Sequence, residues 1–190
     1  GSNMSWKSTL LRAIGTNVVL AQAGGPVCAR AMSVPPLELI TSMRITDSLE
    51  RGVSYFMAEL NRLKQVVDAA RDTASAGERT LLYLLDEILH GTNTAERQIA
   101  AQRVIRFLVD HGAIGAVSTH DLAIAEAPEL ADAAQKVHFT ETVERDDEGR
   151  LTMGFDYTLR PGVATSTNAL ALMEIVGLGV AETRKRGERR

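Results

Sequence analysis

The hydrophobic pattern of the chain alternates between helical and extended segments. Apolar residues recur at helical spacing in three segments, and short apolar runs lie between them. In chain order, the predicted elements are a helix at Ser8–Leu20, a strand at Leu37–Ile45, a helix from Ser54, a strand at Thr80–Leu85, a helix after Gly91–Thr94 and a strand at Ala113–Val117. This alternation is typical of an α/β fold with a mostly parallel sheet flanked by helices.

Two of these elements carry a pattern that indicates which side faces the core. The run at Thr80–Leu85 is apolar on both faces, as expected of a central parallel strand covered by helices on either side. The helix from Ser54 separates apolar from charged residues. Its predicted core face is Phe56, Leu60, Leu63, Val67 and Ala70, and its predicted solvent face includes Glu59, Arg62 and Asp68.

The pattern changes near the end of the chain. Apolar and polar residues alternate over Val137–Val143 and again over Leu151–Leu159, with a charged turn between them. This alternation predicts a C-terminal antiparallel hairpin. Pro161 and Gly162 end it, and Asn168–Val176 is predicted to form a short helix.

Composition narrows the class of protein. The 190 residues, 45% of them apolar, suit one globular domain. A net charge of -3 provides no general attraction to nucleic acid, so any DNA contact would be local or would lie in other parts of a longer protein. The single cysteine, Cys28, excludes an internal disulfide and suits a reducing cytoplasm; we expect it to be buried. No apolar run reaches membrane-spanning length.

The first nine residues are close to a phosphate-binding loop. With Trp6 replaced by Gly, they match G-x-x-x-x-G-K-[ST], in which backbone N–H groups surround nucleotide phosphates. The candidate binding residues are Gly1, Ser2, Asn3, Met4, Ser5, Lys7, Ser8 and Thr9. Lys7 would reach the β- and γ-phosphates of the nucleotide, and Ser8 would ligate Mg²⁺. The alternative is a Ser- and Asn-rich N-terminal segment that caps a helix.

Trp6 is the departure from this motif. The backbone at that position passes close to the phosphates, and an indole competes for the same space. The chain also begins inside the motif, without the apolar strand that precedes such loops. We therefore expect a fragment of a longer protein.

Two further sites follow predicted strands. Asp86 and Glu87 end the run at Thr80–Leu85, where one carboxylate could hold Mg²⁺ and the other could take a proton from water attacking a γ-phosphate. His120 follows the next strand, where ligands of open α/β sheets bind, and could contact the γ-phosphate. The alternatives are a solvated pair of acids and a histidine bonded to nearby backbone.

Four segments together resemble the ATPase domain of the MutS family of DNA mismatch-repair proteins. They are Gly1–Thr9, the segment from Thr46 to Glu59, Leu84–Thr94 and Ser118–Leu122. The string Asp86-Glu87-Ile88-Leu89-His90-Gly91-Thr92-Asn93-Thr94 is the most specific of them. A closing element is also similar, at Ser166–Ala169 and Val176–Leu178.

The resemblance implies a P-loop ATPase of ABC type that works as a homodimer or paralogous dimer, with each ATP between two subunits. It implies that Asn3, Lys7 and Ser8 bind phosphates and Mg²⁺, Asp86 holds the metal, Glu87 activates water and His120 senses the γ-phosphate. Ser54 lies in the segment that would approach the partner's nucleotide, beside the interface loop Gly91–Thr94. DNA would be bound by domains outside this chain.

The departures define a rival hypothesis. Trp6 replaces the loop glycine, and His90 stands where family members usually carry a basic residue such as Arg, which suggests a divergent branch. The leading hypothesis is an ATP-hydrolysing domain of a MutS-like DNA clamp. The rival is a nucleotide-free dimerisation module of the same fold, inactivated at Trp6.

Overall fold

The structure, a computed structural model, describes residues 6–43, 55–89, 93–145, 151–164 and 175. Its described residues fall into two compact units, one spanning Trp6–Lys136 and the other beginning at Val137. Among the described helices, none is both long enough and apolar enough to span a bilayer.

The first unit is built on a parallel sheet of three strands. The strands are β1 (Leu37–Ser42), β2 (Thr80–Asp86) and β3 (Ile114–Ser118), in the order β1-β2-β3. The helices are α1 (Lys7–Gln22), α2 (Tyr55–Ala76), α3 (Thr94–Asp110) and the short α4 (Leu122–Ala125), with a 3-10 turn at Pro128–Leu130. The predicted α/β class and parallel sheet are confirmed. β1 ends at Ser42, three residues before the predicted boundary.

The central strand β2 is covered on both faces, as predicted. Leu81, Tyr83 and Leu85 pack into a core with residues of α2 and α3. The alternate residues Leu82 and Leu84 pack into a second core with residues of α1 and β1. Because side chains of a strand alternate between faces, two separate cores require an apolar residue at every position.

Helix α1 continues two residues past its predicted end at Leu20. Its last residue is Gln22, and Gly24 follows with a positive φ of 73°. The Gly25 N–H then donates to the Leu20 carbonyl at 2.8 Å. Glycine adopts this left-handed conformation without steric cost, so the last carbonyls of the helix gain donors.

The predicted core face of α2 is partly wrong. Leu63 and Ala70 are buried, but Leu60 is 36% exposed. Glu59, predicted on the solvent face, is only 2% exposed, because its carboxylate accepts the backbone N–H of Leu89. The buried face of α2 therefore includes Glu59, which pairs with the Leu89 N–H, and this face is rotated relative to the predicted one. The helix ends at Ala76, four residues before β2 begins at Thr80.

Two other predictions of burial fail. β3 is buried only at its carboxyl end, since Ile114 at its start is 48% exposed while Ser118 is 6% exposed. Cys28 is exposed rather than buried; it lies in the connection after α1, where its N–H donates to the Asn17 side chain at 2.6 Å.

The second unit contains two short antiparallel ladders. One pairs β5 (Glu141–Arg145) with β6 (Leu151–Phe155), and the other pairs β4 (Val137–His138) with β7 (Arg160–Pro161). The predicted antiparallel hairpin is confirmed, but it is divided. Tyr157, with a positive φ of 54°, breaks the second predicted strand, because this conformation cannot continue a β-strand. The predicted helix at residues 168–176 lies outside the described residues except at residue 175.

The close pairing of β2 and β3 depends on Gly115. A β-carbon at this position would lie 2.1 Å from the carbonyl oxygen of its register partner Tyr83. We expect Gly115→Ala to lower the free energy of unfolding by about 1–3 kcal/mol, the usual cost of overpacking. Urea denaturation would measure it. Ile114→Val, on the exposed neighbour, is the control and should change stability by less than about 0.5 kcal/mol; equal effects of the two substitutions would contradict the prediction.

Candidate functional site

The carboxyl ends of β2 and β3 lie side by side at one edge of the sheet. Asp86 and Ser118 are register partners, and the buried Ser118 hydroxyl donates a hydrogen bond to the Asp86 carboxylate. The Glu87 N–H donates to the Ser118 carbonyl at 3.0 Å. These two bonds fix the positions at which both acids leave the sheet.

Glu87 and His120 meet at this edge. The Glu87 Oε1 lies 3.3 Å from the His120 Nδ1, and the two side chains are 27% and 41% exposed. Glu87 has a positive φ of 52°, a left-handed conformation that costs a non-glycine residue about 1–2 kcal/mol. A solvent-accessible carboxylate beside an imidazole can accept a proton from water, which is the chemistry of a general base.

Helix α1 starts at the same edge. The Lys7 ammonium donates to the Thr119 carbonyl at 3.3 Å, which ties the first residue of α1 to the segment after β3. Ser8 follows and is half-buried. A helix of 16 residues places a partial positive charge at this end through its aligned peptide dipoles. The ammonium and the helix terminus therefore favour an anion here.

The structure thus brings together three parts of the chain that are far apart in sequence, namely Lys7, the adjacent acids Asp86 and Glu87, and His120. Thr9 is exposed on the first turn of α1. Trp6 lies directly before α1 and has an exposed side chain. The Trp6 carbonyl accepts the Leu10 N–H at 2.9 Å. The other predicted binding residues, Gly1, Ser2, Asn3, Met4, Ser5 and Ser54, lie outside the described residues, as do Gly91 and Thr92. The roles assigned to these residues stay predictions.

Asp121 connects the segment that carries His120 to α3, a role that the sequence did not reveal. Its carboxylate accepts hydrogen bonds from Arg97 at 3.0 Å and from Gln98 at 3.0 Å, both on α3, and it caps α4 through the Ala123 N–H at 3.1 Å. Asn93 caps α3 in the same way, accepting the Glu96 N–H at 2.9 Å. An Asp directly before a short apolar segment is a typical N-cap, but only the fold shows that α3 supplies its other partners.

The Asp121 network predicts a pH-dependent contribution to stability. Burial by itself raises the pKa of Asp121, but the hydrogen bonds from Gln98, Arg97 and Ala123 outweigh it and hold the pKa below its ordinary value of 3.8. The ionised carboxylate therefore stabilises the fold above that value, and this contribution is lost as pH falls through the folded-state pKa.

We expect Asp121→Asn to lower the free energy of unfolding by about 1–3 kcal/mol at pH 7, because hydrogen bonds to a charged acceptor are lost. The difference between the two proteins should shrink as the pH is lowered below 3.8. Denaturant titrations at several pH values would measure it. Leu122→Ala, at an exposed neighbour, removes no charge and serves as the control. The prediction would be contradicted if the loss of unfolding free energy changed with pH in the same way for both variants.

Comparison with known proteins identifies the family. The family model described as MutS domain V matches residues 1–184. A protein of Haloarcula marismortui named DNA mismatch repair protein MutS 2 is 33% identical over 180 residues, which are 94% of this chain and 18% of that protein. Proteins named DNA mismatch repair protein MutS are 31% identical in Natronomonas pharaonis and 33% identical in Streptococcus sanguinis, in each case over 94% of this chain and 20% of the relative.

The matches thus extend over nearly the whole chain, and the chain spans about a fifth of the length of these relatives. The family model covers both the strand end with Asp86 and Glu87 and the segment with His120. This chain belongs to the MutS domain V family.

Proposed function

We propose that this chain is the ATP-binding and ATP-hydrolysing domain of a MutS-like DNA-binding protein, with a P-loop fold of ABC type. The observation that supports it best is the convergence of a lysine, two acids and a histidine at the carboxyl ends of two adjacent parallel strands. Three hydrogen-bonding contacts support it, namely Lys7 with Thr119, Asp86 with Ser118 and Glu87 with His120. Nucleotides bind at this edge in open α/β sheets.

In this proposal, each residue acts on a different part of the triphosphate. The backbone N–H groups of Gly1–Ser5 and the residues Lys7, Ser8 and Thr9 bind the phosphates. Glu87 accepts a proton from the attacking water, and His120 contacts the γ-phosphate. The short Glu87–His120 distance supports a shared task, since a histidine that senses the γ-phosphate would also orient the base.

The donor atoms fit Mg²⁺. The Ser8 hydroxyl and the Asp86 carboxylate are hard oxygen ligands, the type this ion prefers. Asp86 is held by Ser118 through one oxygen, which orients the carboxylate as hydrogen bonds orient metal ligands in general. When bound, Mg²⁺ would neutralise charge on the phosphates, while Asp86 and Ser8 would set its position.

The whole protein would act on DNA as a dimer. The relatives are named for DNA mismatch repair, and this chain spans about a fifth of their length, so we assign DNA binding to other parts of a longer protein. Ser54 and the loop Gly91–Thr94 would lie against the partner's nucleotide. A net charge of -3 agrees with DNA contacts made by other parts of the protein. Because the chain has a single cysteine, which suits a reducing compartment, we place the protein in the cytoplasm.

ATP hydrolysis by the full-length protein that carries this chain tests the proposal. The rate should depend on Glu87, and equal rates with and without Glu87→Gln would remove Glu87 from the mechanism.

A second candidate function is a dimerisation module that binds no nucleotide. Trp6 favours it, because a large side chain stands where the phosphate loop requires bare backbone. Its side chain is 41% exposed. A titration of labelled ATP separates the two functions, since the module would not bind ATP even with Gly at position 6.

A further inference from the structure

Glu59 lies on the face of α2 that packs into the core, and its carboxylate is buried. Its side chain is 2% exposed, and one oxygen accepts the backbone N–H of Leu89. Around it, α2 buries apolar residues such as Leu63 and Val66. Burying a carboxylate costs several kcal/mol unless hydrogen bonds compensate it. An apolar side chain would suit the packing of the helix better, so packing alone does not account for Glu59.

The partner of Glu59 belongs to the turn that follows Asp86. Glu87 and Leu89 both have positive φ, 52° and 63°, and neither is glycine. Each such conformation costs about 1–3 kcal/mol and persists only when its surroundings enforce it. At one end the Glu87 N–H is bound by the Ser118 carbonyl at 3.0 Å. At the other end the Leu89 N–H is bound by Glu59.

The direction of the Glu87 side chain depends on this turn. Its carboxylate reaches His120 at 3.3 Å from a left-handed backbone, so a change of φ at Glu87 would redirect the side chain. The side chains of Ile88 and Leu89 are 5% and 1% exposed, so the turn is buried next to Glu87, the proposed general base. Release of the Leu89 N–H would leave a buried donor unpaired and allow the turn to relax.

We propose that Glu59 is a positioning residue for ATP hydrolysis: its buried carboxylate holds the Glu87–Leu89 turn in the conformation that aims Glu87. This inference rests on the proposed function. Glu59 acts through Glu87 and does not contact the nucleotide, so its loss should reduce turnover rather than ATP binding.

Steady-state ATPase kinetics of the full-length protein test the inference, in both the Trp6 and the Trp6→Gly forms. We expect Glu59→Ala to lower kcat about 10- to 100-fold, as small misplacements of catalytic groups do, and to leave KM within about threefold. Glu59→Gln should keep kcat within about threefold, because its amide oxygen accepts the same N–H. Asp68→Ala, on the exposed side of α2, is the matched control and should leave both constants unchanged.

A double-mutant cycle separates positioning from a structural role. If Glu59 acts through Glu87, adding Glu59→Ala to Glu87→Gln should slow the enzyme less than twofold further. The inference would be overturned if the two substitutions reduced kcat multiplicatively. It would also be overturned if the Glu59→Ala protein had a lower melting temperature but full kcat per folded molecule. If Glu59→Ala does not fold, Glu59→Asp replaces it, since its carboxylate is one methylene short of the Leu89 N–H; full kcat in that variant would overturn the inference too.

The two proposals fail in different ways. Equal rates for the unmodified and Glu87→Gln proteins, or no ATPase in either form, would overturn the proposed function and the role of Glu59 with it. A slow Glu87→Gln protein combined with full kcat in Glu59→Ala would overturn only the role of Glu59.

Discussion

We expect Glu87→Gln to lower the ATPase turnover of the full-length protein about 10²- to 10⁴-fold, the contribution of a general base. The amide keeps the size of the side chain and its contact with His120 but cannot accept a proton from water. Since Glu87 does not hold the phosphates in this mechanism, ATP binding should stay within about threefold. Phosphate release under saturating ATP measures the first effect, and a nucleotide titration measures the second.

The control for this substitution is Glu126→Gln, the same chemical change on an exposed residue that ends α4. It should leave turnover unchanged. Loss of turnover in both variants would point to a general effect of charge, and loss of ATP binding in Glu87→Gln would assign this residue to the phosphate site.

The second large effect concerns Trp6. We expect Trp6→Gly to tighten ATP binding about 5- to 140-fold, because overfilling a site costs about 1–3 kcal/mol and 1.4 kcal/mol corresponds to a factor of ten. The physical reason is access: without the indole, the phosphates can approach the N–H groups of the loop. A titration with labelled ATP and Mg²⁺ measures the difference between the two proteins.

Val19→Ala is the control for Trp6→Gly, since it also removes an exposed apolar side chain from α1, at 54% exposure. It should not change ATP affinity. Tight binding by the Trp6 protein would refute the steric argument. Failure of the Trp6→Gly protein to bind would favour the nucleotide-free dimerisation module.

Most of the candidate site could be located from sequence because of where its residues stand. Asp86, Glu87 and His120 each follow an apolar run, and parallel strands bring their carboxyl ends to one edge. Ser118 and Asp121 lie in the same segment as His120, but the sequence pattern by itself assigns them no function. Their importance lies in partners on other elements, Asp86 on β2 and Arg97 on α3, and no local pattern specifies those.

The sequence by itself determined the order of the elements and the central place of β2. Both follow from local causes: each element has its own hydrophobic periodicity, and an unbroken apolar run must be covered on both faces. The same run and the motifs around it were sufficient to suggest the family.

Only the tertiary structure decided how each element is rotated and what its polar groups contact. The spacing of α2 placed Glu59 in solvent and Leu60 in the core, and the fold has the reverse. A helix turns about its axis to satisfy the surface it packs on, and here that surface presents the N–H of Leu89. Leaving the buried N–H of Leu89 unpaired would cost about 1–3 kcal/mol, and its pairing with Glu59 arises only when distant segments meet.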